Sequence, residues 1–324
     1  MSSLQVSVKH EKFRLREVFT IARGSRELAD VLTVSVSNGN LTGRGECVPY
    51  SRYGESIESV THQIQSLPYE FDRAKLQELL PAGAARNAVD CALWDLEAKQ
   101  KGKRVWDLIG VPAPEPVVTA FTISLASPDQ MRASAKKHSD RPLLKIKLGT
   151  PDDMPRLEAV RVGAPNSQII VDANEGWSAD VYRELAPHLM GLGVTMVEQP
   201  LPAGDDELLG EIDRPLPVCA DESCHDTSSL PDLAGKYDMI NIKLDKTGGL
   251  TEALKLKKKA LKEGYKLMVG CMVGSSLAMA PATIIAQGAD IVDLDGPLLL
   301  AEDREKPLKF NEKGVHPPTK ELWG

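Results

Sequence analysis

Leu143-Leu-Lys-Ile-Lys147, Ile169-Ile-Val-Asp172, Met196-Val-Glu198, Val218-Cys-Ala-Asp221 and Ile240-Asn-Ile-Lys243 recur through the middle of the chain, each a short apolar run closed by an ionisable residue. Amphipathic or polar segments of helix length separate them. Apolar runs of this size alternating with helical patterns read as βα units and a parallel sheet. The repeat of about 25 residues suits one strand, one helix and two short loops. Five successive strands ending in Lys, Asp, Glu, Asp and Lys are not a packing pattern. In a closed α/β barrel every strand's C-terminal end opens on one face, where active sites are built.

Working outward, Leu4 to Val8 alternate with polar residues and read as a strand, and Val31–Val36 and Leu41–Cys47 read as a hairpin about Asn38-Gly39. Thr20-Ile-Ala-Arg23-Gly-Ser-Arg26 between them reads as a polar loop, and Tyr50-Ser-Arg-Tyr-Gly54 as a second one. Helical patterns follow over about 55–66 and 73–80, and the strongest runs from about Ala84 to Lys101, stopped by Gly102. Strands first and helices after make an α+β module. The proline-rich join Val111-Pro-Ala-Pro-Glu-Pro116 closes it. The expected division is an α+β domain over 1–112, a barrel over 113–296 and a C-terminal segment over 297–324 that packs back on the first module. Barrel strand one is expected over about 117–124, strand seven over 266–270 and strand eight over 291–295.

The whole chain has 324 residues, 42% hydrophobic and 26% charged, with a formal net charge of -7. That composition belongs to soluble globular proteins, and with no basic run it argues against nucleic acid. No apolar signal core or membrane-length stretch occurs. The five cysteines form no CxxC pair. Reduced core thiols in a cytoplasmic protein are expected.

An acid at one strand end is most often a helix cap. Asp172, Glu198 and Asp221 on three consecutive strands are another matter, because they would repel one another in one mouth unless a cation neutralised them. Oxygen-only ligation favours Mg2+ over zinc. Asn174 and Glu222 lie close enough in sequence to support them. Lys145 and Lys147 share one face of strand two by period-two geometry, and Lys243 ends the strand across the barrel. Lysines can snorkel out of a strand end. Held inward together, they are expected to depress one another's pKa, as a base requires. Asp293 and Asp295 share a face of strand eight and suit a cationic group on a substrate, or a neighbouring lysine. His188 and His225 lack metal-ligand spacing.

Lys-x-Lys on strand two, Asp, Glu and Asp on strands three to five and Lys on strand six resemble the enolase superfamily, muconate-lactonizing subgroup. Asp293-Leu-Asp295-Gly-Pro, Ile21-Ala-Arg-Gly-Ser-Arg26, Arg52-Tyr-Gly-Glu55, Ala220-Asp-Glu-Ser-Cys224 and Lys243-Leu-Asp-Lys-Thr-Gly-Gly249 are similar to its bacterial dipeptide epimerases. The resemblance implies a modified (β/α)7β TIM-type barrel with an N-terminal α+β capping domain. It implies one Mg2+ per subunit on Asp172, Glu198 and Asp221, and epimerisation of L-Ala-D/L-Glu in murein peptide recycling. Lys147 and Lys243 would then move a proton through an enediolate, with Lys145 auxiliary. Asp293 and Asp295 would hold the dipeptide ammonium, and Arg23 or Arg26 the glutamate side chain. The partner is a small molecule, and the protomer can form a homo-oligomer. o-Succinylbenzoate synthase and N-acylamino acid racemase are the alternatives within the subgroup. A Schiff-base aldolase using Lys243 is the alternative outside it.

Overall fold

The computed structural model describes residues 3–150 and 152–324. Strands β1 (Gln5–Ile21) and β2 (Gly24–Ser37) form one long antiparallel hairpin, and β3 (Thr42–Cys47) pairs with the other edge of β2. The expected polar loop at 20–26 is the tip of that hairpin, with a register shift between Arg14 and Phe19. Few side chains of β1 are buried, so its alternation fades after Val8 and only pairing with β2 defines the rest.

Helices α1 (Ile57–Gln65), α2 (Arg73–Leu79), α3 (Ala84–Lys101) and α4 (Val105–Ile109) follow. Ser56 and Ser59 cap α1 reciprocally, Asp72 caps α2, and Gly102 ends α3 in the left-handed region at φ 61°. Every residue of α3 from Ala84 to Leu96 is buried. The sheet lies on one side of it so closely that a Cβ on Gly43 or Gly45 would strike the carbonyls of Ala92 and Ala88.

The barrel strands are β4 (Phe121–Ile123), β5 (Leu143–Lys147), β6 (Gln168–Asp172), β7 (Val194–Glu198), β8 (Val218–Ala220), β9 (Met239–Ile242), β10 (Lys266–Val269) and β11 (Ile291–Val292). They lie parallel in sequence order. The Ala120 amide donates to the Val292 carbonyl at 2.8 Å and joins the last strand to the first. Between strands run α5 (Pro128–Lys137), α6 (Met154–Gly163), α7 (Ala179–Gly191), α8 (Leu230–Leu233), α9 (Leu244–Thr247), α10 (Leu250–Lys262) and α11 (Ser276–Ile285). A single 3-10 turn, Glu207–Gly210, crosses from β7 to β8. After α12 (Gly296–Leu299) the chain ends against α3, where Trp323 Nε1 donates to the Cys91 carbonyl at 3.0 Å.

Two strands are shorter than expected. Val117 pairs with Val315 of the C-terminal segment instead of entering the barrel ladder. The last strand stops at Val292, because Asp295 takes a helical backbone (φ -88°, ψ -1°) and begins α12. One side chain from each strand region (Ala120, Leu143, Ile170, Met196, Cys219, Met239, Met268, Ile291) fills the barrel interior as a closed apolar layer. That layer is the floor on which the polar residues stand.

The two domains meet at Asp245, which accepts hydrogen bonds from the Val48 amide (3.1 Å) and Asn87 Nδ2 (2.9 Å). Burial pushes its carboxyl up to about 7 from an ordinary 3.8. The folded state therefore holds this proton more tightly than the unfolded chain. The resulting stabilisation is complete below the unfolded value and is lost as pH rises through about 7. Asp245→Asn is expected to flatten the fall in stability between about pH 4 and pH 7 seen in urea unfolding; an unchanged slope would show that Asp245 is not the group. Gly45→Ala should lower stability by about 3 kcal/mol or more, the upper end for overpacking, since backbone meets backbone there. The same melts test it, and a loss below about 0.5 kcal/mol would contradict the close approach.

Candidate active site

Side chains two residues above the apolar floor point the same way, by the period of a strand. From the floor residues they are Thr122, Lys145, Asp172, Glu198, Asp221, Asn241, Gly270 and Asp293. Another step up on two walls come Lys147 and Lys243. The floor seals the bottom, so these groups are buried yet face one mouth.

Lys145 stands at the centre. Its Nζ lies 2.6 Å from Glu198 Oε2, 2.8 Å from Asp293 Oδ2 and 3.1 Å from Asp172 Oδ2. Lys147 Nζ contacts Asp172 Oδ2 at 2.5 Å, and Lys243 Nζ contacts Asp221 Oδ2 at 2.5 Å. β5 and β9 are four strands apart in a ring of eight, so Lys147 and Lys243 face each other across the mouth. Asp295 Oδ2 accepts from the Thr122 amide at 2.6 Å, at the edge of the cluster.

Burial works against the ammonium of Lys145, but Asp293, Glu198 and Asp172 outweigh it and hold its pKa well above the usual lysine range. Asp221 does the same for Lys243. Neither Lys145 nor Lys243 is depressed overall: the Lys145 ammonium does work against Lys243, but the carboxylates in contact with each lysine outweigh it. Lys147 and Lys145 in turn overcome burial and hold Asp172 below the usual carboxylate range. Glu198 is pushed up to about 7 by burial and by Asp172. Burial and Asp293 push Asp295 to about 7.

Among the described residues no three carboxylates, imidazoles or thiols stand gathered round one point as a finished cation cage. Lysine nitrogens lie between the acids instead. The donor set nevertheless fits a hard cation. Asn174 Oδ1, Glu222 Oε2, Asn241 Oδ1 and Asp293 Oδ1 are buried oxygens without a hydrogen-bond donor. Such oxygens are costly unless a cation or ligand meets them.

Three contributors escaped the sequence reading. Asn241 donates to Glu198 Oε1 at 2.7 Å, and a Cβ on Gly270 would come within 2.7 Å of Asn241 Oδ1. Lys246, fully buried, donates to Asp221 Oδ1 (2.6 Å), Asp221 O (2.5 Å) and Asn241 O (2.9 Å). Gln199, left-handed at φ 35°, accepts from the Asp221 and Ser223 amides and donates to Leu201 O, Ser223 Oγ and Tyr237 OH. Those bonds hold a backbone conformation that costs of order 1–3 kcal/mol next to Glu198. Period two in Ile240-Asn-Ile-Lys243 already pointed Asn241 inward; Gln199 and Lys246 had no such signal.

The capping hairpin roofs the mouth. Arg23 is consumed there: it bonds Asn174 O (2.8 Å), Glu175 Oε2 (2.9 Å), Tyr50 OH (3.1 Å) and Glu222 Oε1 (2.7 Å). Arg52 grips Glu175 with two bonds. Arg26 also lines the cavity, 5.7 Å from the Tyr50 ring, and makes no ion pair among the described residues. The cavity these residues line is small, about 60 Å3, and partly open to solvent. A roomier cleft of about 360 Å3 between β1, α5 and α12 lacks this convergence of buried charge.

Residues 3–110 match the family model described as mandelate racemase/muconate lactonizing enzyme, N-terminal domain, and residues 130–321 match the enolase C-terminal domain-like model. The chain is 47% identical to the L-Ala-D/L-Glu epimerase of Escherichia coli K12, over 96% of this chain and 99% of that one. It is 45% identical to an N-acetyl-D-glutamate racemase of Pseudoalteromonas, over 91% and 95%. Among solved structures, an enolase family member from Agrobacterium tumefaciens with homology to dipeptide epimerases, holding sodium and L-Ala-L-Glu, superposes with a TM-score of 0.96. It is 53% identical, with 99% of both chains covered. The dipeptide epimerase of Enterococcus faecalis V583, complexed with Mg and L-Leu-L-Tyr, gives 0.89 at 28% identity, covering 98% and 97%. With both domain models matched in order, the chain belongs to the mandelate racemase/muconate lactonizing enzyme group of the enolase superfamily.

Proposed function

We propose that the protein is a Mg2+-dependent dipeptide epimerase that interconverts L-Ala-D-Glu and L-Ala-L-Glu. The observation that carries this reading is the arrangement of Asp293 and Asp295. Asp293 pairs with Lys145 through Oδ2 while its Oδ1 has no donor, and Asp295, buried beside it, meets no ammonium among the described residues and takes its hydrogen bond from the Thr122 amide. A free ammonium at the substrate's N-terminus meets that need.

Asp172, Glu198 and Asp221 are the residues to hold Mg2+, supported by Asn174, Glu222, Asn241 and Lys246. When bound, the cation supplies positive charge that offsets these acids and stabilises the substrate carboxylate as its α-proton leaves. Lys147 and Lys243 approach from opposite walls, so one takes the proton and the other returns one on the opposite face. Each serves as base in one direction. Lys145 holds the centre of the charge cluster and orients Asp293. Arg26, rather than Arg23, pairs with the glutamate side chain, because Arg23 is already spent on Glu175 and Glu222. The aldolase reading of Lys243 leaves the second lysine and the acids without a task.

No helix among the described residues is long and apolar enough to cross a membrane. The cysteines are free, four of them buried, which supports a reducing, cytoplasmic setting.

The racemase relative favours a second reading, an N-acylamino acid racemase, in which the acyl group replaces the ammonium. Comparing kcat/KM for L-Ala-L-Glu and its N-acetyl form decides between them. The dipeptide should win by at least about tenfold, the lower value of a charge-assisted hydrogen bond. Equal values would leave the ammonium site without support. Chelation should abolish activity and Mg2+ restore it. In deuterated water Lys147→Ala and Lys243→Ala should each stop epimerisation while still exchanging the α-proton of one epimer, a different one in each. If both variants exchanged the same epimer, the one-lysine-per-face scheme would fail. Arg26→Met should lower kcat/KM for L-Ala-L-Glu about ten- to hundredfold and barely change that for L-Ala-L-Leu. The same loss on both dipeptides would remove Arg26 as the side-chain partner.

A further inference from the structure

Lys243 and Lys147 are held in different ways. Lys147 lies within β5 and is paired to Asp172 of β6 by the sheet ladder. Lys243 is the first residue after β9 and the cap of α9, which has only four residues. A helix that short cannot hold its own shape.

α3 of the capping domain holds it from outside. Arg86 Nη2 donates to Thr247 O at 2.8 Å and its Nε to Gly248 O at 3.2 Å. Asn87 Nδ2 donates to Asp245 Oδ1 at 2.9 Å. Asp90 Oδ2 accepts from the Thr251 amide at 2.9 Å, and Trp94 Nε1 donates to Thr251 Oγ1 at 3.0 Å. Positions 86, 90 and 94 recur at four-residue spacing, so they share one face of α3 with Asn87 beside them. Gly248 and Gly249 are left-handed at φ 72° and 108°. A Cβ on Gly248 would strike Arg86, and one on Gly249 would come within 2.6 Å of Asp90. Every residue from Lys243 to Leu250 is buried, and Lys246 of the same turn anchors Asp221.

We propose that the Arg86, Asn87 and Asp90 face of α3 is a positioning device for Lys243, so that the capping domain sets the reach of one proton-transfer lysine and not of the other. This rests on the reading of Lys147 and Lys243 as the proton-transfer pair. The asymmetry follows from the scaffolds: loosening α9 moves Lys243, which lies outside its strand, whereas Lys147 is the last residue of β5 and is held in register with Asp172 of β6.

The test is α-proton exchange of L-Ala-L-Glu and L-Ala-D-Glu, followed separately by NMR in deuterated buffer with Mg2+. Lys147→Ala and Lys243→Ala identify the epimer each lysine serves. Arg86→Met should slow the Lys243 side about ten- to hundredfold, as a displacement of about 1 Å can, and leave the Lys147 side within about twofold. Arg86→Lys should recover part of the loss, since an ammonium can still donate to Thr247 O. Amide hydrogen exchange over 244–249 should quicken in Arg86→Met and stay near native in Arg86→Lys. Equal slowing of both epimers, or no slowing with unchanged amide protection, overturns the proposal. If Arg86→Met does not fold, Asn87→Ser must show the same asymmetry in smaller measure, and its absence is equally decisive. A native enzyme that exchanges neither epimer sinks the epimerase reading instead. The amide exchange then still decides whether α3 holds the turn.

Discussion

Six buried carboxylates (Asp172, Glu198, Asp221, Glu222, Asp293, Asp295) and four buried ammoniums (Lys145, Lys147, Lys243, Lys246) share the mouth of one barrel. Each ion would cost several kcal/mol if buried alone, so they persist by meeting opposite charges or hydrogen-bond donors at bonding distance. Lys145, in contact with three acids, is the hub of that exchange. The acids outnumber the ammoniums even so, and Arg23 reaches in from the capping hairpin to take Glu222. A site this rich in unmet negative charge is matched to a cation.

The fold pays for this concentration of charge with order elsewhere. An apolar floor closes the barrel beneath it, drawn from all eight strand regions. Gln199 is held in a strained backbone beside Glu198 and fixes the Asp221 amide. The capping domain then acts twice, as a roof through the β1–β2 tip and as a grip through α3. The roof closes over the cavity, while the grip holds the turn that carries Lys243. These are separate tasks for one domain, and separate parts of its sequence carry them.

Buried charge at strand ends was legible because two periodicities combine. A parallel strand repeats every two residues and a βα unit every 25 or so, hence Lys145, Lys147, Asp172, Glu198, Asp221 and Lys243 could be placed in one mouth without coordinates. The same reasoning carried Asn241, had it been applied to every strand. It overran at Asp295, where helical backbone replaces the strand. It could not reach the sign of the lysine pKa shifts, which depends on whether a carboxylate or a second ammonium lies nearer. It also left Arg23 and Arg26 equivalent, since both sit in one polar stretch.

By itself, then, the sequence determined the barrel, the acids and lysines at its mouth and the α+β module ahead of it, because local periodicity and residue type are properties of short stretches. Only the tertiary structure decided which arginine is spent and which is free, that Lys246 and Gln199 belong to the site, and that α3 grips the turn behind Lys243. Those relations join residues 22 to 199 positions apart, through side-chain geometry that no local pattern encodes. Chain separation of that order is closed by packing the whole molecule, and the site is complete only when both domains are in place.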